Sequence, residues 1–334
     1  MAKMLKLWRL VLLAAFSLLL MAARMPDMKV VPWQQVEVPT QNILLDIAFT
    51  GTNPSHGWLV GDKATLLESQ DGGLHWQVRK LTALEPEAYL SSISFAGAEG
   101  WVVGQPRILL HTLNEGSDWT SIRLSKQLPG EPILIQALGP GAAEMVTNVG
   151  AIYRTEDGGQ TWHAQVEEPI GAIKNIARGP GGEYLAVSSR GSFYFLYTPE
   201  SRSWKPYPRE SSRRIQNMGF GPNGSAWKLN QGAEIAFTSD FTSGEWSKPL
   251  RPGRALSFGY LNAAYQNDHD LWVVGGGGTL IHSPDGGKTW EEAKKLSSIP
   301  ANFYSIEFFG PDRGFILGQR GTLLRYVGYS NSPS

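Results

Sequence analysis

The sequence predicts an all-β protein: a seven-bladed β-propeller with four antiparallel strands per blade, its ring closed by the N-terminal strand pairing in the last blade. Three observations predict it. Tryptophan recurs at positions 33, 76, 119, 162, 204, 246 and 290, at steps of 42 to 44 residues, which is the length of one blade. Ahead of these sites runs a second phrase with an aromatic or apolar core closed by glycine, as in Gly57-Trp-Leu-Val-Gly61, Gly100-Trp-Val-Val-Gly104, Leu271-Trp-Val-Val-Gly275 and Gly314-Phe-Ile-Leu-Gly318. Finally, the two ends of the chain are complementary fragments of one unit.

Taken in order, residues 1–24 read as a signal peptide or signal anchor. Lys3, Lys6 and Arg9 precede an apolar run from Leu10 to Ala23, shorter than the roughly 20 residues a membrane helix needs. Trp33-Gln-Gln-Val-Glu-Val38 is then an isolated strand. Each repeat opens with an inner strand, such as Asp46-Ile-Ala-Phe49, Ser92-Ile-Ser-Phe95 or Ser305-Ile-Glu-Phe308. The Gly-closed phrase follows, then a third strand, then the tryptophan strand; we label the four A to D. After Trp290 the chain supplies only three strands, over 303–309, 314–318 and 321–327. The orphan strand at Trp33 completes that set and removes two exposed sheet edges. The propeller spans 33–328, and 329–334 form a C-terminal tail.

The C–D turns carry Ser69-Gln-Asp71-Gly-Gly-Leu-His-Trp76, Thr155-Glu-Asp157-Gly-Gly-Gln-Thr-Trp162 and Ser283-Pro-Asp285-Gly-Gly-Lys-Thr-Trp290. This is the Asp-box pattern. Glycine supplies unusual turn angles, aspartate accepts turn N–H groups and tryptophan packs between blades. Repetition argues for a scaffold role over catalysis or metal binding. With no cysteine in the sequence, disulfides, thiolate metal sites and a cysteine nucleophile are excluded. The six histidines are scattered and none pairs with another at ligand spacing. A formal net charge of zero gives no bulk attraction to nucleic acid or membrane.

A meander sorts its loops. The start of strand A, the B–C turn and the end of strand D share one face, and the A–B and C–D turns share the other. The first face receives Lys63, Arg107, Arg190 and Arg320 from B–C turns. D–A connections add Arg79, Lys80, Arg123, Lys205, Arg209, Arg213, Arg214, Arg251 and Arg254, mixed with Glu85, Glu87, Glu167 and Glu168. The second face receives Asp71, Glu99, Asp157, Asp285 and Asp312. The densest basic run is Arg190 through Arg214, and arginine suits carboxylate-binding interfaces. Arg178, at the far end of an inner strand, is a candidate for the central channel.

The patterns Asn42-Ile-Leu-Leu-Asp-Ile-Ala-Phe49, Gly57–Gly61, Ser188-Ser-Arg190-Gly-Ser-Phe-Tyr194 and Ser211-Ser-Arg-Arg-Ile-Gln-Asn-Met-Gly219 resemble the photosystem II assembly and stability factors of cyanobacteria and chloroplasts. The resemblance covers the chain after the signal. It implies a monomeric, cofactor-free, non-catalytic propeller, peripheral to the thylakoid membrane on the lumenal side or on the periplasmic side of a photosynthetic membrane. It further implies binding to a photosystem II reaction-centre precursor subunit and early assembly intermediates. An arginine patch proposed as that family's contact surface maps onto Arg190, Arg209, Arg213 and Arg214. Many cyanobacterial members look like lipoproteins with a cysteine after the signal, which this sequence lacks. Exposed ion pairs alone are weak, so Tyr207 and Ile215 are expected to add apolar contact.

Two rivals share the Asp-box. A glycosidase needs either the Phe/Tyr-Arg-Ile-Pro start of sialidases, which is absent, or two carboxylates facing each other across a cleft, of which no pair is evident. A carbohydrate-binding propeller would use aromatics such as Tyr207 to stack on sugars.

Overall fold

The computed structural model describes residues 31–253, 259–293, 296 and 299–329. The expected signal segment 1–24, Arg254 and the tail beyond residue 329 lie outside the described residues. Seven antiparallel sheets follow one another in chain order, with innermost A strands Leu44–Phe49, Tyr89–Ala96, Pro132–Gly139, Ile173–Arg178, Ile215–Phe220, Tyr260–Tyr265 and Phe303–Phe308. We number the blades 1 to 7 by these strands. The Trp33–Val36 strand pairs with Leu323–Tyr326 in blade 7, Trp33 opposite Tyr326 and Val36 opposite Leu323. The seventh sheet is therefore built from both ends of the chain, as the complementary fragments predict.

Blade 5 carries the one local departure. Its sheet has three strands, and where a fourth is expected before and after Trp246 only an isolated bridge between Ile235 and Leu250 forms. The edge is still satisfied: Ser247 donates its N–H to the Phe237 carbonyl, and its hydroxyl oxygen accepts the Phe237 N–H. Pro249 and Pro252 flank Leu250 and cannot donate to a ladder, which explains why the strand does not propagate.

Packing between blades follows from the tryptophans. Each lodges against the preceding blade: Trp119 edge-on to Trp58 at 5.6 Å, Trp162 to Trp101 at 6.0 Å, Trp246 to Tyr194 at 5.9 Å and Trp33 to Trp272 at 5.5 Å. Asp-box turns precede Trp76, Trp162 and Trp290. Ser283 Oγ accepts the Gly287 N–H at 2.7 Å and donates to Asp285, whose Oδ1 accepts the N–H groups of Lys288 and Thr289. The Trp290 indole closes the turn on the Gly287 carbonyl at 3.0 Å. Thr155, Asp157 and Gly159 repeat the same bonds. In that turn the hydroxyl and N–H of Thr161 hold Asp157 down at about 2. Asn114 substitutes for the aspartate in blade 2 and accepts the Asp118 N–H at 3.0 Å. Three histidines join the scaffold. His56, His111 and His282 bond Glu68, Glu99 and Asp270, and the last two stack on Trp101 and Trp272.

Around the axis, every A strand carries a bulge near its start, at 44/46, 90/92, 132/134, 173/175, 215/217, 260/262 and 303/305. The residue after each bulge is polar in six blades and turns toward the channel. From there five of the six bond the next inner strand: Asp46 accepts the Ile93 N–H at 2.8 Å, Ser92 accepts the Ile135 N–H, and Asn175, Asn217 and Asn262 donate to the carbonyls of Gln216, Leu261 and Tyr304. Across the closure, Asp46 meets Glu307. Burial and then the neighbouring Asp46 charge push the Glu307 carboxyl well above its ordinary value.

Two outcomes are expected. Ser283→Ala, which strands the buried Gly287 N–H, should cost about 1–2 kcal/mol in chemical denaturation, while Ser283→Thr, the Thr155 arrangement, should cost little. A raised folded-state pKa at Glu307 contributes stability below its unfolded value of 4.5 that is lost as pH rises. Glu307→Gln should therefore gain about 2–4 °C in Tm at pH 8 and show no such gain at pH 4.

Candidate protein-docking surface

The central channel opens on the first face through a mouth of about 1000 Å³ rimmed by Ile43, Tyr89, Lys174, Gln216 and Tyr304. The starts of the A strands form this rim. Outside it, on blades 4 and 5, lies the basic run. Arg190 is exposed in the B–C turn after Tyr184–Ser188, and Arg213 and Arg214 are exposed just before the Ile215–Phe220 strand. Arg209 is half-buried on the intervening connection. The fold thus brings the four predicted arginines to one sector of one face.

Their engagement differs. Arg209 donates to the Ser212 carbonyl at 2.9 Å, which folds the loop. Arg213 Nε lies 3.5 Å from Glu234, a carboxylate already held by Arg251 at 2.8 Å. Arg190 and Arg214 form no ion pair with any carboxylate among the described residues. Positive charge accumulates inward as well: burial, and then the Arg214 guanidinium, push the Lys174 ammonium below its ordinary value. By contrast, other cations assigned to this face are neutralised locally. Arg79 pairs with Glu68 at 3.1 Å, and Arg107 with Glu131 at 3.8 Å and the carbonyls of Ser125 and Leu128. Glu99, assigned to the opposite face, is buried and bonds His111 and the Gly141 N–H. The charge contrast between faces is therefore weaker than loop sorting suggests; Lys63, Lys80, Arg123 and Arg320 also form no ion pair among the described residues, but they are spread around the ring, whereas the blade 4–5 sector gathers its cations in one run.

Arg178 lines the opposite, A–B mouth of the channel. Its guanidinium bonds Glu144 at 2.9 Å and its face lies over the Tyr184 ring, whose hydroxyl donates to the same carboxylate. It is committed to joining blades 3 and 4.

The apolar helpers expected from the sequence are corrected by the structure. Ile215 is buried in the seam between blades 4 and 5, and Tyr207 is half-buried, stacked on Tyr194 at 4.8 Å. Ile215 is not free to meet a partner, and the stacked ring of Tyr207 is only partly so. Phe193 is free: it is 45% exposed on the strand just after the Arg190 turn, opposite Pro208. Its place two residues beyond the Gly191 turn was the available signal, because alternation points it away from buried Tyr194.

Comparison with known proteins identifies the family to which this fold belongs. The family model described as photosynthesis system II assembly factor YCF48 matches residues 25–327. The chain is 90% identical over 330 residues to the photosystem II assembly protein Ycf48 of Synechococcus sp. (strain JA-2-3B'a(2-13)), covering 99% of both chains. It is 50% identical over 316 residues to the photosystem II assembly lipoprotein Ycf48 of Trichormus variabilis, covering 94% of this chain and 92% of that one. Among solved structures, one described as YCF48 bound to D1 peptide superimposes with a TM-score of 0.88 at 46% identity, over 91% of this chain and 100% of that one. With family model, relatives and fold in agreement over nearly its whole length, the chain belongs to the YCF48 family of photosystem II assembly factors.

Proposed function

We propose that this propeller is a non-catalytic photosystem II assembly factor that holds a reaction-centre precursor through the basic sector of blades 4 and 5. The observation that carries the reading is a group of four arginines on one face, two of which have no carboxylate partner among the described residues, around an exposed phenylalanine. Such a surface offers bidentate donors to carboxylates and an apolar anchor beside them. The solved relative bound to a D1 peptide supports a peptide ligand of reaction-centre origin. Arg190, Arg213 and Arg214 supply attraction, Arg209 shapes the loop that presents them, and Phe193 adds the desolvated contact that exposed ion pairs lack. The basic, apolar N-terminal segment supports export, which puts this face on the lumenal or periplasmic side of the photosynthetic membrane, where the precursor's C-terminal tail is also expected. Binding alone accounts for the site, so turnover is not part of the reading.

Calorimetry with a D1 C-terminal tail peptide tests it. The wild-type chain should bind with an affinity that falls between 50 and roughly 300 mM salt. The folded variant Arg190→Glu/Arg213→Glu/Arg214→Glu should lose at least about tenfold. Phe193→Ala should weaken binding with its salt dependence intact. Equal affinity of wild type and the charge-reversed variant would remove the arginine sector as the docking surface.

A further inference from the structure

The second strand of every blade contributes one residue to the row that faces the preceding blade. By register these are Leu59, Val102, Met145, Ala186, Val273 and Ile316, paired to the inner-strand residues Ile47, Ile93, Ile135, Ile176, Ala263 and Ile306. In blade 5 the same position, opposite Met218, is Lys228. Its neighbour on the next strand also departs from the pattern. The other blades place Leu67, Leu110, Tyr153, Phe195, Ile281 or Leu324 there, and blade 5 places Ala236. An ammonium has been inserted, and the large side chain that would fill the space beside it removed.

The result is a cleft of about 120 Å³ bordered by Lys228, Ala236, Arg209, Glu210, Asn230 and Ser247, directly under the basic sector. Lys228 is only 4% exposed. Its Nζ sits 4.3 Å from the Trp246 ring and 5.6 Å from that of Tyr194, and the Trp246 indole is fixed by donating to the Tyr194 hydroxyl at 3.0 Å. Ring faces stabilise the charge but leave its three N–H donors without a conventional acceptor. Among the described residues Lys228 makes neither a hydrogen bond nor an ion pair. Glu210, exposed at the rim, also lies within electrostatic reach but forms no ion pair with it. Burying an amine costs free energy unless it is paired, and positions that break a repeat's local rule tend to be functional.

We propose that Lys228 is the floor of a pocket that takes one carboxylate, gripped between its ammonium and Arg209, from the acidic segment that docks on blades 4 and 5. The identity of the segment rests on the function proposed above, whereas the pocket itself does not. Burial pushes the Lys228 ammonium down to about 8, with Glu210 acting in the opposite sense. A bound carboxylate should raise it again. The other charged or titratable groups facing it are Arg209 and Tyr194.

The first probe is sodium acetate. Lysine side-chain ¹⁵N NMR of the wild-type chain at pH 7, with the Lys228 resonance assigned by its loss in Lys228→Met, should show a saturable shift. Sodium chloride at the same ionic strength should give none. No saturable shift, or an equal one with chloride, would overturn the pocket. The second probe is the D1 tail peptide. Lys228→Met should weaken it about tenfold, while Lys248→Met, which removes an equal charge from an exposed site on the same blade, should change it less than about twofold. Equal losses in the two variants would overturn the link to docking even where acetate binds. If the peptide fails to bind the wild-type chain, the docking function fails and acetate still decides the pocket. Methionine suits the apolar row, as Met145 shows, and should a Lys228→Met chain not fold, assignment by Lys228→Arg serves the acetate test. Amidating the peptide's C-terminus separates the sources: loss of affinity equal to that of Lys228→Met assigns the terminal carboxylate, and unchanged affinity an acidic side chain.

Discussion

Each blade of this protein is too thin to bury its own faces, so the whole architecture depends on how one sheet grips the next. The grip is the tryptophan that begins each outer strand. In four blades its ring lies edge-on against an aromatic of the preceding one, as with Trp119 on Trp58 and Trp33 on Trp272; Trp76, Trp204 and Trp290 pack into the apolar clusters they share with the preceding blade. The hydroxyl–carboxylate turns before Trp76, Trp162 and Trp290 are held by their own hydrogen bonds without demanding a core of their own. Near the axis the polar residues after the bulges bond the neighbouring inner strand. Apolar packing outside and hydrogen bonding inside thus act on the same interface, and loops are left unconstrained on both faces.

The docking sector exploits that freedom where the scaffold is weakest. Blade 5 has the incomplete outer strand and the inserted Lys228, and it borders the loops that carry Arg209, Arg213 and Arg214. Elsewhere on the same face, Arg79 and Arg107 are absorbed by Glu68 and Glu131. Charge that the fold uses for its own turns is unavailable to a partner. What distinguishes the sector is therefore that it gathers several arginines in one run, of which Arg190 and Arg214 form no ion pair among the described residues.

Much of this was legible in the sequence, because periodicity survives averaging over repeats. The tryptophan spacing announces the blades, the Asp-box phrases announce the turns, and the complementary ends announce the closure. Loop sorting also selected the arginine sector. Pairing was harder to read: nothing in the local sequence says that Arg178 would meet Glu144 from the neighbouring blade, or that Ile215 would turn inward while Phe193 turned out. Lys228 was readable in principle. The segment Ala-Trp-Lys-Leu-Asn at 226–230 departs from the apolar phrase of the other blades, but the departure gains meaning only once Ala236 is seen beside it. Glu307 and Asp46 likewise sit at opposite ends of the chain and become a pair only when the ring closes.

That closure has a consequence for how the molecule comes into being. The strand that seals the ring is the first piece of the propeller to be made, and its partner strand, Leu323–Tyr326, is nearly the last. Until the final repeat emerges, Trp33 has no Tyr326 to rest on, and the edge of blade 7 does not exist. Bringing such distant segments together is entropically costly and slow. During that interval the growing chain presents an unpaired strand at its leading end and a string of half-supported sheets behind it. Every newly made molecule therefore passes through an open arc before it is a ring, and it is in that arc, rather than in the finished disc, that chaperones and proteases would find something to hold.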